Sequence, residues 1–565
     1  MPRTNPLHAL RRLAGEHAAA DRLRLPVGEL RELRADAAAA PGGVGRRELL
    51  RAATLSGAVL AVAGTGLGLG AGRAHAADAA RPSTAKAGPG PRKDARIAVI
   101  GAGIAGLNAA LTLADAGIRC TVYEANPDRI GGRMYSQTTY WDNGQTSEVG
   151  GELIDTDHVT LLALCKRFGL PLVDFLNSGP AGAREVLWFD GRYYPREQAD
   201  ADFAPVWRRL QADNAAAGDV SWNASTAAGR AFDAMTIRQW IESRVPGGTH
   251  SQLGRWLDVG YNVEYGADTT GQSALSIIQQ LGGQSDPARF NLWGDSDERY
   301  HVVGGNDQVP HAIADALPAD TVRLGHELLA VRANDDGTQT LTFSVGGTRR
   351  TVTADHTILA VPLGVMQRLD LGRARFDARM TSLLRDYRMG TCTKLNMQFN
   401  RRTWQGRGPW PGISAGDLFS DLDLQQTWDA TKPQPGTSGI LLQYGGGSLA
   451  HSLSPAGPFN TAQQDPYVRG LAGRMLDQID QAYPGTRAQW NGKAQLSAWH
   501  RNPYSYGAYS YYPVNYWHRY LGYEATAQGN IHLSGEHTSV NFPGFMDGGA
   551  EQGERAAKEV LAALG

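Results

Sequence analysis

The sequence predicts an α/β protein with a Rossmann-like domain that binds a dinucleotide, and three observations support this. An apolar run at 97–100 leads into the glycine motif GAGIAG at 101–106. Apolar residues with helical spacing follow the glycines, and a second strand pattern at 120–123 ends in Glu124. A strand, a glycine turn, a helix, a strand and an acid in this order form a dinucleotide site, in which the acid accepts the ribose hydroxyls.

Each residue of the glycine motif has its own physical role. Gly101 permits the tight turn, Gly103 lets a pyrophosphate approach the backbone, and Gly106 lets the helix pack closely on the strand. Ile104 and Ala105 open the helix, where unpaired N–H groups can face the phosphates. All five residues therefore belong to the predicted cofactor site.

Length and composition limit the classes of function. The chain has 565 residues, 42% of them hydrophobic, so it can bury more than one core. Lys plus Arg (55) nearly balance Asp plus Glu (56), and we expect no nucleic-acid partner. Cys120, Cys165 and Cys392 lie far apart, without the spacing of a metal site or a disulfide framework, and are interpreted as buried apolar residues. No metal is predicted.

The N-terminal segment is predicted to lie outside the folded protein. An arginine pair at 46–47 precedes an apolar run at 55–72, and the triplet AHA at 74–76 has the pattern of a signal-peptidase site. Residues 1–77 are therefore predicted to be a twin-arginine export signal, and residues 78–93 a linker. Glycines within the run weaken the alternative, a transmembrane anchor. We expect an extracellular or periplasmic protein without a stable membrane anchor.

Two further glycine pairs follow the second strand. They stand in RIGGRMYS at 129–136 and in EVGGELID at 148–155. There the backbone again approaches something large and flat, which favours FAD over a nicotinamide cofactor. In these motifs the sequence resembles the flavin-containing amine oxidase superfamily, which includes monoamine oxidases, polyamine oxidases and L-amino acid oxidases.

The resemblance implies which residues contact FAD. In the family the GGR arginine lies near the pyrophosphate, and the second glycine pair runs beside the flavin ring. A later strand touches the adenine, and a glutamate near the C-terminus holds the ribityl chain. A helix that begins near residue 546 would present its N-terminus to the flavin edge that becomes negative on reduction. These contacts are assigned to Gly132, Arg133, Gly150, Gly151, Glu152, Leu328, Gly535, Glu536, Phe545 and Met546.

The resemblance also implies a discontinuous domain organisation. The FAD-binding domain, of the glutathione reductase-like, amine oxidase type, takes residues 94–165, 300–375 and 496–565. An inserted α+β substrate-binding domain takes residues 166–299 and 376–495.

Local patterns predict three further elements. Asp190-Gly191 and Gly346-Gly347 stand between short strand patterns, and each pair is predicted to form the turn of a β-hairpin. Five tyrosines within residues 501–513 favour a strand there, because aromatic side chains pack well on a pleated surface.

Four residues are predicted at the reaction site from the resemblance. Lys394 matches the family lysine that holds a water against flavin N5. Tyr509 and Phe545 take the positions of two rings that flank the substrate nitrogen in monoamine oxidases, although Phe545 replaces a tyrosine. Ring faces carry partial negative charge and can guide an amine between them. Trp499 is interpreted as a wall of the flavin site, with a core tryptophan as the alternative.

Two departures from the family pattern concern the cofactor and the substrate. Ala508 stands where monoamine oxidases carry the cysteine that bonds FAD, so FAD is predicted to be non-covalent. The arginine that clamps the substrate carboxylate in some L-amino acid oxidases is missing, since the stretch reads Glu152-Leu153-Ile154. Either another residue, such as Arg501, binds a carboxylate, or the substrate has none. Glu152 could instead attract a second cationic group or bond backbone amides.

The sequence thus predicts an exported, FAD-dependent oxidase that converts an amine to an imine, which hydrolyses to a keto acid or aldehyde plus ammonia while O2 becomes H2O2. An L-amino acid is the favoured substrate, with a basic side chain left open. The alternatives are a monoamine or polyamine oxidase, an FAD-dependent carbon–carbon desaturase and a non-catalytic binding protein. The expected partners are the small-molecule substrate and O2, and a homo-oligomer is left open.

Overall fold

The computed structural model describes residues 94–283, 290–294 and 296–565. The predicted export signal and linker therefore lie outside the described residues. Within the described part of the chain, no helix combines the length and the apolar character needed to cross a membrane.

The strands and helices are numbered along the chain. The strands are β1 (Ile97–Ile100), β2 (Thr121–Tyr123), β3 (Ser136–Gln137), β4 (Ser147–Glu148), β5 (Leu172–Asp174), β6 (Val186–Phe189), β7 (Arg192–Tyr193), β8 (Tyr300–Val302), β9 (Val322–Arg323), β10 (His326–Ala333), β11 (Gln339–Val345), β12 (Thr348–Ala354), β13 (His356–Leu359), β14 (Asp370–Arg373), β15 (Arg388–Met389), β16 (Cys392–Phe399), β17 (Gln405–Gly406), β18 (Ser414–Ala415), β19 (Leu418–Ser420), β20 (Gln426–Asp429), β21 (Gly439–Gly446), β22 (Trp490–Ala498), β23 (Ser510–Tyr511) and β24 (Ile531–Leu533). The α-helices are α1 (Ile104–Asp115), α2 (Val159–Arg167), α3 (Arg196–Ala217), α4 (Ala227–Asp233), α5 (Ile237–Arg244), α6 (Gln252–Tyr265), α7 (Ala274–Gly282), α8 (Gln308–Ala316), α9 (Leu363–Met366), α10 (Ala378–Asp386), α11 (Gly447–Ser452), α12 (Pro466–Ala482), α13 (Trp517–Tyr520) and α14 (Met546–Leu564).

A five-stranded parallel sheet carries the glycine motif. Its strand order is β24-β13-β1-β2-β9, and every neighbouring pair is parallel. All four residues of β1 are buried, as expected for a central strand of a sheet covered on both faces. The five strands come from the three segments predicted to form the FAD-binding domain. A mixed four-stranded sheet, with the order β12-β11-β10-β14, lies in the second of these segments.

A second, larger sheet is built from the segments predicted to form the substrate domain. Its order is β22-β16-β21-β20-β19-β6-β7. Strand β16, the second in this order, is buried at every residue. Strand β22 continues to Ala498, beyond the expected boundary at residue 495, and the domain boundaries themselves stay a prediction.

Both predicted hairpins are confirmed. Strands β6 and β7 pair across Asp190 and Gly191, whose φ angles are 56° and 67°. Strands β11 and β12 pair across Gly346 and Gly347, with φ angles of 54° and 77°. Positive φ at both central residues is the geometry of a tight two-residue hairpin turn.

The tyrosine-rich segment 501–513 is not the strand that its composition predicts. Only Ser510–Tyr511 pairs as a strand, with β15, and the residues before it form turns. Tyr506 has a φ of 54°, which a strand does not allow, and its ring stacks on the guanidinium of Arg368, 3.6 Å from carbon to centroid. Tertiary contacts of single rings therefore override the strand propensity of the segment.

Candidate active site

The glycine motif contains two glycines that the protein itself requires and one that leaves open space. A Cβ atom on Gly101 would lie 2.6 Å from the carbonyl oxygen of Ala360, and one on Gly106 would lie 1.9 Å from the oxygen of Gly101. Gly103 differs, because the nearest atom to its Cβ would be the Cα of Gly132 at 3.8 Å. The backbone at Gly103 thus has room in front of it that no protein atom fills.

Glu124 occupies the end of β2 as predicted, and its carboxylate is held by the backbone. Its two oxygens accept the amides of Ala102 (2.7 Å) and Asn126 (2.8 Å). Burial raises the pKa of Glu124. The amide of His326 donates to the Glu124 carbonyl (2.8 Å), which brings β10 and the buried residue Leu328 alongside the predicted nucleotide site.

The second glycine pair is enclosed by residues from both ends of the chain. A Cβ on Gly150 would lie 1.9 Å from the Arg133 oxygen and 3.0 Å from the Trp499 ring. A Cβ on Gly151 would lie 2.7 Å from the Met546 side chain. Four predicted cofactor residues and the predicted wall tryptophan are therefore brought together, and neither glycine can be replaced without moving a neighbour.

A buried polar network holds the backbone of this pair in place. The Asn306 carboxamide donates to the carbonyls of Gly151 (3.1 Å) and Glu152 (2.6 Å). Glu148 in turn accepts the Asn306 amide (2.9 Å) and bonds His301 (3.0 Å). The sequence interpretation missed both residues, although Glu148 begins the motif EVGGELID and Asn306 directly follows another glycine pair, Gly304-Gly305.

Lys394 and Glu152 form a buried ion pair at the glycine pair. The Lys394 ammonium lies 2.6 Å from a Glu152 oxygen and donates to the Gly150 carbonyl at 2.8 Å. The Trp428 indole N–H donates to the other Glu152 oxygen (3.0 Å). The carboxylate is therefore already neutralised within the protein, an arrangement that neither sequence interpretation of Glu152 foresaw.

Arg133 links the GGR motif to the C-terminal segment. Its guanidinium donates to the Ala508 carbonyl (2.6 Å) and to Glu536 (2.9 Å), and the Ser510 hydroxyl binds the other Glu536 oxygen (2.6 Å). The pKa of Glu536 is lowered overall. Burial is the largest single influence and acts to raise it, but the charge of Arg133 and these hydrogen bonds together outweigh burial. Gly535, with a φ of 137°, turns the chain into this position.

Helices α1 and α14 pack side by side near their N-termini. A Cβ on Gly549 would lie 3.0 Å from the Ile104 side chain, and one on Gly553 would lie 2.1 Å from the Ala105 oxygen. Helix α14 begins at Met546, as predicted. Two positive helix ends therefore share one region, which suits a ligand with anionic groups.

The Tyr509 hydroxyl is the centre of a small hydrogen-bonded cluster. It donates to the Val263 carbonyl (2.9 Å), and it lies 2.9 Å from the Tyr444 hydroxyl and 3.1 Å from the Cys392 sulfur. Burial raises the pKa of the Cys392 thiol to about 11. Cys392 is thus a hydrogen-bonding partner as well as a buried residue, and Tyr444 is a neighbour that the sequence did not single out.

Phe545 lies at the N-cap of α14, beside His158. The two ring centroids are 5.0 Å apart, and His158 also contacts Phe542 edge-on. The Asp155 amide donates to His158 Nδ1 (2.9 Å), so the neutral ring carries its hydrogen on Nε2. Burial lowers the pKa of His158 to about 4, which keeps the ring neutral.

The chain matches the family model described as flavin containing amine oxidoreductase over residues 104–561. The chain belongs to this family. It is therefore an amine oxidoreductase with FAD as its cofactor. The residues fit that cofactor, because Gly103 leaves space in front of the backbone, the two helix ends can receive phosphates, and Glu124 lies at the end of β2 where a ribose can bind.

Curated relatives and solved structures agree with this assignment. The chain is 26% identical over 486 residues to flavin-containing amine oxidase A of Equus caballus, covering 83% of this chain and 85% of the relative. It is 24% identical over 503 residues to an L-amino acid dehydrogenase of Synechocystis sp., covering 82% and 94%. Cyclohexylamine oxidase from Brevibacterium oxydans has the same fold, with a TM-score of 0.68, 22% identity and coverage of 83% and 99%.

Proposed function

We propose that this protein is an FAD-dependent oxidase that converts an amine to an imine. Water hydrolyses the imine to a carbonyl compound and ammonia, and O2 is reduced to H2O2. FAD, when bound, accepts the two electrons and the hydrogen that leave the carbon bearing nitrogen. The chain itself has to orient the amine and exclude water.

The arrangement of Lys394 at the second glycine pair carries the proposal. Its ammonium is fixed on the Gly150 carbonyl, and the Trp499 ring packs against the same glycine. A buried cation and an aromatic wall thus stand where the resemblance expects the flavin ring. An ammonium has three N–H groups, and Glu152 and the Gly150 carbonyl accept two of those of Lys394. A third N–H can support the transfer of electrons to O2 by stabilising the negative charge that oxygen acquires.

Tyr509 supports the amine side of the proposal. Its hydroxyl is held by Val263 and Tyr444, so the orientation of the ring is set before substrate binds. The side chain still keeps accessible surface, and a ring face is what attracts an amine. Phe545 is the predicted second ring.

The substrate class has two candidates. The sequence favours an L-amino acid, and the relative named L-amino acid dehydrogenase supports that class. The nearby cations, however, already have partners, since Lys394 is paired with Glu152 and Arg133 with Glu536. Arg501 is exposed. An amine without a carboxylate is therefore the second candidate.

The test is a peroxide assay of the purified yellow protein against L-amino acids, monoamines and polyamines. Peroxide formation with one class and an equimolar carbonyl product is the expected result. A folded, flavin-loaded protein that stays silent across the panel would refute the proposal. Flavin bleaching by an amine without peroxide would identify a dehydrogenase instead.

Two further proposals concern the cofactor link and the location. With Ala508 in place of a cysteine, we propose that FAD is not covalently bound, so acid precipitation should leave the yellow colour in the supernatant. We also propose export by the twin-arginine pathway. Replacing the arginine pair at 46–47 by lysines should retain the protein in the cytoplasm, and unchanged export would refute this.

A further inference from the structure

Glu264 is an ionisable residue beside the predicted amine site that the cofactor does not explain. It stands near the end of α6, directly after Val263, whose carbonyl accepts the Tyr509 hydroxyl at 2.9 Å. The Gln280 amide donates to one Glu264 oxygen at 2.8 Å. The carboxylate is thus positioned by a neutral partner, one residue away from the backbone that holds Tyr509.

Glu264, Tyr444 and Tyr509 are three deeply placed side chains that influence one another electrostatically. Burial is the largest influence on all three side chains: it raises the pKa of Glu264 to about 7 and those of both tyrosines well above their usual range. All three nevertheless keep accessible surface. Groups that lie deep in a protein and still have accessible surface face a cavity, and the charge of Glu264 acts on both hydroxyls.

The negative charge of Glu264 has no cation beside it in the described ranges 94–283, 290–294 and 296–565. The charges coupled to it there have the same sign: Asp155 acts on Glu264, and Glu264 in turn acts on the carboxyl of Glu298. A desolvated carboxylate without a counter-charge is unfavourable. Protonation relieves this cost near neutral pH, since the pKa of Glu264 is about 7. A positively charged ligand relieves it too and keeps the carboxylate ionised, whereas a neutral ligand does neither.

We propose that Glu264 binds a second cationic group of the substrate, so that the substrate is an amine with a distal ammonium or guanidinium. This rests on the proposed function. The reacting amine would lie at the Tyr509 ring and the distal cation at Glu264. Glu152, the residue that the sequence suggested for this role, is excluded from it by its pair with Lys394.

Pairs of substrates with the same length test the proposal. The first pair is 1,5-diaminopentane and hexan-1-amine, and the second is L-lysine and L-2-aminoheptanoate; within each pair a methyl group replaces the distal ammonium. We expect a preference in kcat/KM of about 10- to 100-fold for the dicationic member, the effect of a hydrogen bond to a charged group. A preference in the first pair identifies a diamine as the substrate, and a preference in the second pair identifies a basic L-amino acid.

The variant Glu264→Gln keeps the size and the bond to Gln280 but removes the charge. It should abolish the preference, because the loss of kcat/KM falls on the dicationic member. Glu264→Asp keeps the charge and should retain part of the preference. It provides a second test of the proposal if Glu264→Gln does not fold. Glu197→Gln, at an exposed position of α3, is the matched control. An equal loss for both members of each pair would overturn the proposal.

Anaerobic calorimetry separates this proposal from the proposed function. If the wild type oxidises neither pair, the broader peroxide panel decides the oxidase proposal, and binding decides the role of Glu264. Binding of 1,5-diaminopentane that is at least tenfold weaker in Glu264→Gln supports it. Equal affinities for wild type and variant, at equal flavin content, would overturn it.

Discussion

Removing the Lys394 ammonium should destabilise this protein because it leaves Glu152 charged and buried. The two charged atoms lie 2.6 Å apart, and the side chains are 9% and 4% exposed. At an effective dielectric constant of about 20, two unit charges at such a separation attract by about 6 kcal/mol. Desolvation offsets much of this attraction, and removing one partner of a buried pair costs about 3–5 kcal/mol.

A double-mutant cycle measures this pair. The variants are Lys394→Met, Glu152→Gln and the double variant, with Lys166→Met as an exposed control. Lys394→Met should lose about 3–5 kcal/mol of unfolding free energy, and the control less than about 0.5 kcal/mol. The double variant should lose less than the sum of the single variants, with a coupling of about 1–3 kcal/mol.

The assay is urea unfolding of the flavin-loaded proteins at neutral pH, followed by tryptophan fluorescence. All four variants and the wild type are compared at the same transition, at equal flavin content. Additive losses, with a coupling below about 0.5 kcal/mol, would refute the inference that the two residues act as one buried unit.

Three other predictions follow from the geometry. Gly106→Ala should not yield folded protein, because its Cβ would lie 1.9 Å from a backbone oxygen. Gly103→Ala has 3.8 Å of clearance, so this variant should fold but lose FAD. The absorbance ratio of flavin to protein checks this, and a yellow Gly103→Ala variant would contradict it. Tyr444→Phe removes the hydroxyl that lies 2.9 Å from the Tyr509 hydroxyl. This variant should lower kcat/KM about 5- to 10-fold at unchanged FAD content, because a lost hydrogen bond costs about 1 kcal/mol. Unchanged kinetics would show that Tyr444 only packs. Burial raises the pKa of Glu524 from 4.5 to about 7, so its protonated form adds stability that is full below pH 4.5 and lost as the pH rises through 7. Glu524→Gln should therefore flatten the fall in melting temperature between these two pH values, and parallel curves for variant and wild type would contradict the assignment.

Local physics made part of this protein readable from its sequence. The strand, glycine turn and helix of residues 97–115 and the acid at Glu124 follow one another within a short stretch, and their backbone requirements restrict the residue types at each position. The turns at Asp190-Gly191 and Gly346-Gly347 are likewise set by neighbours in the chain. These elements have the predicted form because the residues that set their turns, the start of the helix and the order of the elements are neighbours in the chain.

The sequence by itself thus determined the dinucleotide-binding segment, the family resemblance and the set of residues expected around FAD. The tertiary structure decided their partners. Lys394 meets Glu152 across 242 residues, and the Tyr509 hydroxyl meets Val263 across 246. Such contacts depend on how the two sheets and the C-terminal helix pack against each other. Burial then makes the electrostatic energy of a charge pair, or of a carboxylate such as Glu264, much larger than it would be in water.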